Sequence, residues 1–186
     1  MKERHDLAEL SDPEWPVIES TVEYETGWYT GGYDLVEQPD GSTKRYYWAE
    51  LPPAAVIVGL TDGQLLFVEQ YRPAIRETQL ELPAGIVEPG EDFCEAAGRE
   101  LAEETGFRPA ETTLLEAFWC STGVLRHRRG IVLAEELSVV DRKLDSNEFL
   151  APHTVSVDDA LAVARSQPTN DATIEGVLLA KEHGVL

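Results

Sequence analysis

Gly85-x5-Glu91-x7-Arg99-Glu100-Leu101-Ala102-Glu103-Glu104-Thr105-Gly106-Phe107 sets four carboxylates and one guanidinium at fixed spacing. The run from about Glu91 onward reads as a helix. At about 100° per residue, Glu100, Glu103 and Glu104 share one face at i, i+3 and i+4. Like charges so placed repel, and the repulsion needs a counter-charge. Hard divalent cations such as Mg²⁺ or Mn²⁺ bind oxygen ligands and share them with substrate phosphates. The spacing therefore points to metal-assisted phosphate chemistry.

A Glu pair on a helix is ordinarily a solvated face, and Glu103-Glu104 alone would carry no argument. The joint pattern does, because a match at all specified positions arises by chance on the order of once in 10⁸ starts. The segment resembles the signature box of the Nudix hydrolases, with no departure at its nine specified positions. Members of that family cleave a diphosphate linkage between a nucleoside and another group. The resemblance implies an α/β fold, a Nudix-type α/β/α sandwich around a mixed sheet, with Glu100 and Glu104 as principal metal ligands. Glu103 would share that duty, and Arg99 would orient the glutamates by ion pairing. Gly85 would open the loop and Gly106 would end the helix. Glu91 stands at the helix start, where capping and catalysis are both open readings.

Upstream, Glu69-Gln70-Tyr71-Arg72-Pro73 and Glu81-Leu82-Pro83-Ala84-Gly85 are similar to the segment found in ADP-ribose pyrophosphatases and related nucleoside diphosphate sugar hydrolases. By that resemblance Arg72 would contact a substrate phosphate through its planar fork, and the Ala84 carbonyl would be a further metal ligand. The general base would be a Glu on a loop after the box, and Glu148 stands on such a stretch. In dimeric members an N-terminal sheet mediates association and supplies aromatics that sandwich the base. Trp28, Tyr29, Tyr46, Tyr47 and Trp48 are candidates here, Trp28 first among them, and a homodimer is expected.

Two departures bear on the substrate. The subgroup's Ser-Pro-Gly element reads Ser121-Thr122-Gly123, which weakens the case for ADP-ribose specifically. Arg126-His127-Arg128-Arg129 then concentrates positive charge. Arg126 can hold a phosphate or a sugar acid, or these side chains can pair with neighbouring carboxylates. His127 lacks a second His at ligand spacing.

The chain has 35 acidic and 15 basic residues and a formal charge of −20. Such a field argues against nonspecific nucleic-acid binding and matches proteins of salt-rich cytoplasm, where screening relieves self-repulsion. Two cysteines, Cys94 and Cys120, lie in neither CxxC nor zinc spacing and read as buried small hydrophobes. With no signal-peptide pattern and no apolar run of membrane length, a soluble cytoplasmic protein is expected.

Residues 1–50 read as a small N-terminal β extension, expected to mediate dimerisation, and 51–186 as the hydrolase domain. Strands are expected at Val17 to Tyr24 and Tyr29 to Gln38, with a turn at Pro39-Asp40-Gly41. Ala54 to Leu60 and Gln64 to Gln70 read as a hairpin around Thr61-Asp62-Gly63, and Gln79 to Leu82 leads into the box. Thr112 to Trp119 and Gly130 to Leu137 complete the strands. Two helices close the chain, one capped by Ser156 and running through about Gln167, the other capped by Asn170 or Asp171 and running to Gly184. The function expected is metal-dependent hydrolysis of a nucleoside diphosphate sugar, ADP-ribose to AMP and ribose 5-phosphate. The alternatives are GDP-sugars or dinucleoside polyphosphates as substrates, a non-catalytic nucleotide-sugar sensor, or a scaffold indifferent to Glu104.

Overall fold

The structure, a computed structural model, describes residues 14–144 and 149–186. In chain order the elements are β1 (Val17–Glu25), β2 (Thr30–Glu37), β3 (Thr43–Glu50), β4 (Ala54–Thr61), β5 (Gln64–Arg72), β6 (Glu77–Glu81), β7 (Ala84–Ile86) and α1 (Phe93–Thr105). There follow β8 (Phe107–Arg108), β9 (Glu111–Trp119), β10 (Leu125–Arg126), β11 (Arg128–Glu135), β12 (Ser138–Val139), β13 (Leu150–Ser156), α2 (Ala160–Ala164) and α3 (Asp171–Glu182). They divide into two compact units, one formed by the chain up to Leu51 with Ser121–Arg126, the other by Pro52–Cys120 with His127–Leu186.

The first unit is a sheet in the order β1-β2-β3-β10. Strand β10 adds parallel to β3, so six residues beyond the box belong here, which the sequence reading placed in the hydrolase domain. The Pro39-Asp40-Gly41 turn forms as expected: Gly41 takes φ 81°, and the Asp40 carboxylate accepts the Ser42 N–H at 2.9 Å. At the departure from the subgroup pattern a tight turn forms without proline. The Ser121 carbonyl accepts from both the Val124 and Leu125 N–H groups at 2.9 Å.

The second unit is an α/β/α sandwich around a mixed sheet, as expected. Its core order is β13-β5-β4-β11-β9, with β4 parallel to β11 and the other pairs antiparallel. Alternation along the strands sorts residues between two faces. Ala55, Ile57, Leu66, Val132 and Ala134 pack against Ala96, Ala97 and Leu101 of α1. Val56, Val58, Leu65, Phe67, Ile131 and Leu133 pack on the other side against Ala160, Ala164, Val177 and Ala180 of α2 and α3. The central strands are apolar throughout because both faces are covered. Asp62 and Gly63 both take positive φ (48° and 72°), giving the type I′ turn that joins β4 to β5.

Several local expectations are corrected. Helix α2 is only five residues long and its N-cap is Asp159, while Ser156 accepts the Asp159 N–H in the preceding turn at 3.2 Å. Strands β3 and β13 were not expected. The exposure pattern of β13 is dominated by polar-facing positions, and Pro152 interrupts its sequence, so propensity conceals it. Asn170 does cap α3, its side chain accepting the Thr173 N–H at 2.8 Å. Cys120 is buried, whereas Cys94 is only partly so. Among the described residues no helix is long and apolar enough to cross a membrane.

Candidate active site

Helix α1 begins at Asp92, whose carboxylate accepts the Cys94 and Glu95 N–H groups, while the Glu95 side chain returns to the Asp92 N–H at 2.9 Å. This capping box fixes the first turn. Glu91 is therefore not the cap. Its carboxylate accepts the Glu88 N–H and faces Arg99. At the other end Gly106 takes φ 77° and donates to the Ala102 carbonyl, terminating the helix where glycine is expected.

Between those ends, Arg99 uses all five of its N–H donors. Nε and Nη2 donate to the two Glu91 oxygens at 2.8 and 2.9 Å, and Nη2 also donates to the Ile86 carbonyl at 2.9 Å. Nη1 donates to Glu100 at 2.8 Å and to Glu103 at 3.2 Å. The expected pairing with Glu103 is present, but it is the longest of the set. Glu91 is the main partner, and its hydrogen bonds to Arg99 hold its carboxyl down to about 2. Arg99 is raised further above its ordinary value, chiefly by Glu91 and then by Glu100, against the penalty of partial burial.

Glu100 and Glu104 both meet β7. The Glu100 carboxylate lies over Gly85 so closely that a Cβ there would sit 1.9 Å from its Cδ. Glu104, 5% exposed, accepts the Ala84 N–H at 3.2 Å. Glycine at 85 is thus required by close approach rather than by φ. Among the described residues no three His, Cys, Asp or Glu side chains close on one metal position. Arg99 draws Glu91, Glu100 and Glu103 to itself, while Glu100 and Glu104 flank one strand rather than closing a cage. Such an all-oxygen, open donor set fits a hard cation that keeps waters and shares substrate oxygens. Beside α1 lies a cavity of about 410 Å³ lined by Arg99, Glu103, Arg108, Pro109, Asp141 and Lys143.

Arg72 does not reach into solvent alone. Its Nε and Nη2 grip the carboxylate of Glu81, which is 3% exposed, at 2.9 and 2.6 Å. Glu81 was missed as a site residue. A carboxylate buried at an inward position of β6 must have a partner, but the polar sequence of that strand does not reveal which positions face inward.

The basic run is split. Arg126 belongs to the first unit, where it pairs with Asp34 and lies 4.0 Å over the Trp48 ring. Trp48 also donates to Asp34 at 3.1 Å, and these three residues line a cavity of about 180 Å³. Trp28 is 65% exposed. In the second unit, His127 Nδ1 lies 2.9 Å from the Pro52 carbonyl. Arg129, nearly buried, pairs with Asp171 at 3.1 Å and Glu175 at 2.5 Å. Arg128 lies over the Trp119 and Phe93 rings. Arg126 and Arg129 thus each pair with neighbouring carboxylates. Glu148 lies outside the described residues.

Comparisons with known proteins agree with this geometry. The family model described as the NUDIX domain matches residues 50–177. The ADP-ribose pyrophosphatase of Bacillus subtilis (strain 168) is 37% identical over 74% of this chain and 76% of its own length. The methanol dehydrogenase activator of Bacillus methanolicus is 32% identical over 75% and 77%, respectively. A crystal structure of an ADP compounds hydrolase superposes with a TM-score of 0.82 over 92% of this chain and 97% of that one, at 22% identity, and so shows a shared fold. With the signature box intact on α1 and the family model spanning most of the chain, the protein belongs to the Nudix family and is a Nudix hydrolase.

Proposed function

We propose that this enzyme hydrolyses the diphosphate linkage of ADP-ribose, releasing AMP and ribose 5-phosphate, with Mg²⁺ as its metal. The observation that carries the reading is the pair of carboxylates, Glu100 and Glu104, set against β7 in a chain 37% identical to an ADP-ribose pyrophosphatase. Nudix hydrolases use divalent ions, and here Glu100, Glu104 and the Ala84 carbonyl would hold one, with Glu103 assisting. A divalent ion so bound supplies charge stabilisation and a nucleophile near neutral pH. The protein's own residues do the rest. Arg99 keeps Glu100 and Glu103 aligned while being fixed itself by Glu91 and Ile86. The Ala84 N–H fixes Glu104. Arg72 binds a phosphate oxygen, and Glu148 takes the proton of the attacking water.

Trp28 and Trp48 are the residues assigned to the base, and Arg126 is assigned to a phosphate or a sugar acid. Residues 1–50 are assigned to homodimerisation, supported by apolar residues exposed along the edge strand β1: Val17, Ile18, Val22 and Tyr24. A salt-rich cytoplasm is the setting that the −20 charge favours. Product analysis tests the substrate: ADP-ribose, GDP-mannose and a dinucleoside polyphosphate are each incubated with Mg²⁺ in molar salt. AMP and ribose 5-phosphate as the most rapidly formed products support the reading. Preference for either other substrate overturns it.

A further inference from the structure

Arg72 ends β5 and stands directly across from Glu77 of β6. A surface ion pair would form with that exposed carboxylate. The guanidinium instead runs back along the hairpin to Glu81, four residues further on the same face. Nε donates to both Glu81 oxygens, at 2.9 and 3.1 Å, and Nη2 donates to one of them at 2.6 Å. Glu81 is nearly inaccessible, and this fork is the partner that its buried carboxylate meets. Hydrogen bonding to Glu81, with the charges of Glu81 and Glu104, holds the guanidinium in its charged form against the penalty of burial. Among the described residues Nη1 has no hydrogen-bond partner, and the side chain is 43% exposed. One edge of the fork is thus fixed and the other open.

We propose that Glu81 is a positioning residue that fixes the Nε–Nη2 edge of Arg72 and so presents Nη1 to the substrate diphosphate. The inference rests on the reading of Arg72 as the phosphate-binding residue. A planar fork offers two bidentate edges, and occupying one removes the rotamer freedom that a flexible arginine would lose on binding. The role concerns the diphosphate and holds whichever nucleoside is attached.

A mutant cycle decides it. Glu81→Gln, Arg72→Gln and the double variant are assayed on ADP-ribose with Mg²⁺, and their affinity for ADP is measured by calorimetry without metal. We expect Glu81→Gln to raise KM and the ADP dissociation constant about tenfold with kcat changed far less. Because Glu81 acts through Arg72, the double variant should be no worse than Arg72→Gln alone. Unchanged ADP affinity in Glu81→Gln, or a double loss equal to the product of the single losses, overturns the proposal. Glu81→Asp keeps the buried charge and draws the guanidinium back by one methylene. It should lose ADP affinity even if Glu81→Gln melts early, and retained affinity would overturn the idea. If the wild type does not cleave ADP-ribose, the substrate reading fails, while the ADP affinities still decide this one.

Discussion

Position 85 is where a single methyl group would run into a carboxylate of the box. A Cβ there falls 1.9 Å from Cδ of Glu100, the far end of a side chain that can swing away. Gly85→Ala should therefore leave the melting temperature nearly unchanged while cutting kcat about 100-fold, the scale of a misplaced catalytic group. Steady-state kinetics beside a thermal melt separates the two effects. Glu91 offers a titration. Its carboxyl lies below the ordinary 4.5, near 2, because Arg99 donates to it, helped by the Glu88 N–H and opposed by partial burial. A depressed carboxylate stabilises the fold fully above its unfolded value and loses that contribution as pH falls through the folded one. Carbon-detected NMR of the Glu91 carboxyl in metal-free protein should show its inflection near 2, and Arg99→Gln should return it toward 4.5.

At the scale of the element, α1 is held by caps at both ends and by Ala96, Ala97 and Leu101 beneath it. Asp92→Ala removes the acceptor of two N–H groups and should cost about 1 kcal/mol. Gly106→Ala should cost more, about 1–2 kcal/mol, since φ is 77° and the new Cβ would meet the Val140 carbonyl at 3.3 Å. Denaturant melts of both variants check the order. The box helix was legible because its signals are local: carboxylates, arginine and glycines at fixed spacing. The two faces of the central sheet were not separately legible, because β4 and β11 are covered on both sides and lose alternation. Ser156 misled because it fits a cap, yet the helix that follows starts beyond Asp159 and stops at Ala164. Long-range partners were hidden for the same reason. Glu81 and Arg72 meet across a hairpin, and Glu175 and Asp171 reach Arg129 from more than forty residues away.

For the whole molecule, charge sets the conditions of any experiment. A net −20 stores self-repulsion that screening relieves within about 3 Å at molar salt, against about 10 Å at 0.1 M. The melting temperature should accordingly rise steadily from 0.1 M to 2 M KCl, and a flat or falling profile would remove the case for a salt-rich setting. Family membership and the sandwich were carried by one contiguous segment, whereas the residues proposed to bind substrate, Trp28, Trp48, Arg72 and Arg126, stand far apart in the sequence with no shared motif. That scattering is why substrate identity is the less legible part of the sequence. The central claim is that Glu104, fixed by the Ala84 N–H, helps hold the metal that cleaves the diphosphate. The most direct test follows AMP release from ADP-ribose with Mg²⁺ in molar salt, comparing wild type with Glu104→Gln. The account predicts AMP from the wild type and a loss of at least about 100-fold in the variant, with both folded. Equal turnover by the two proteins would contradict it.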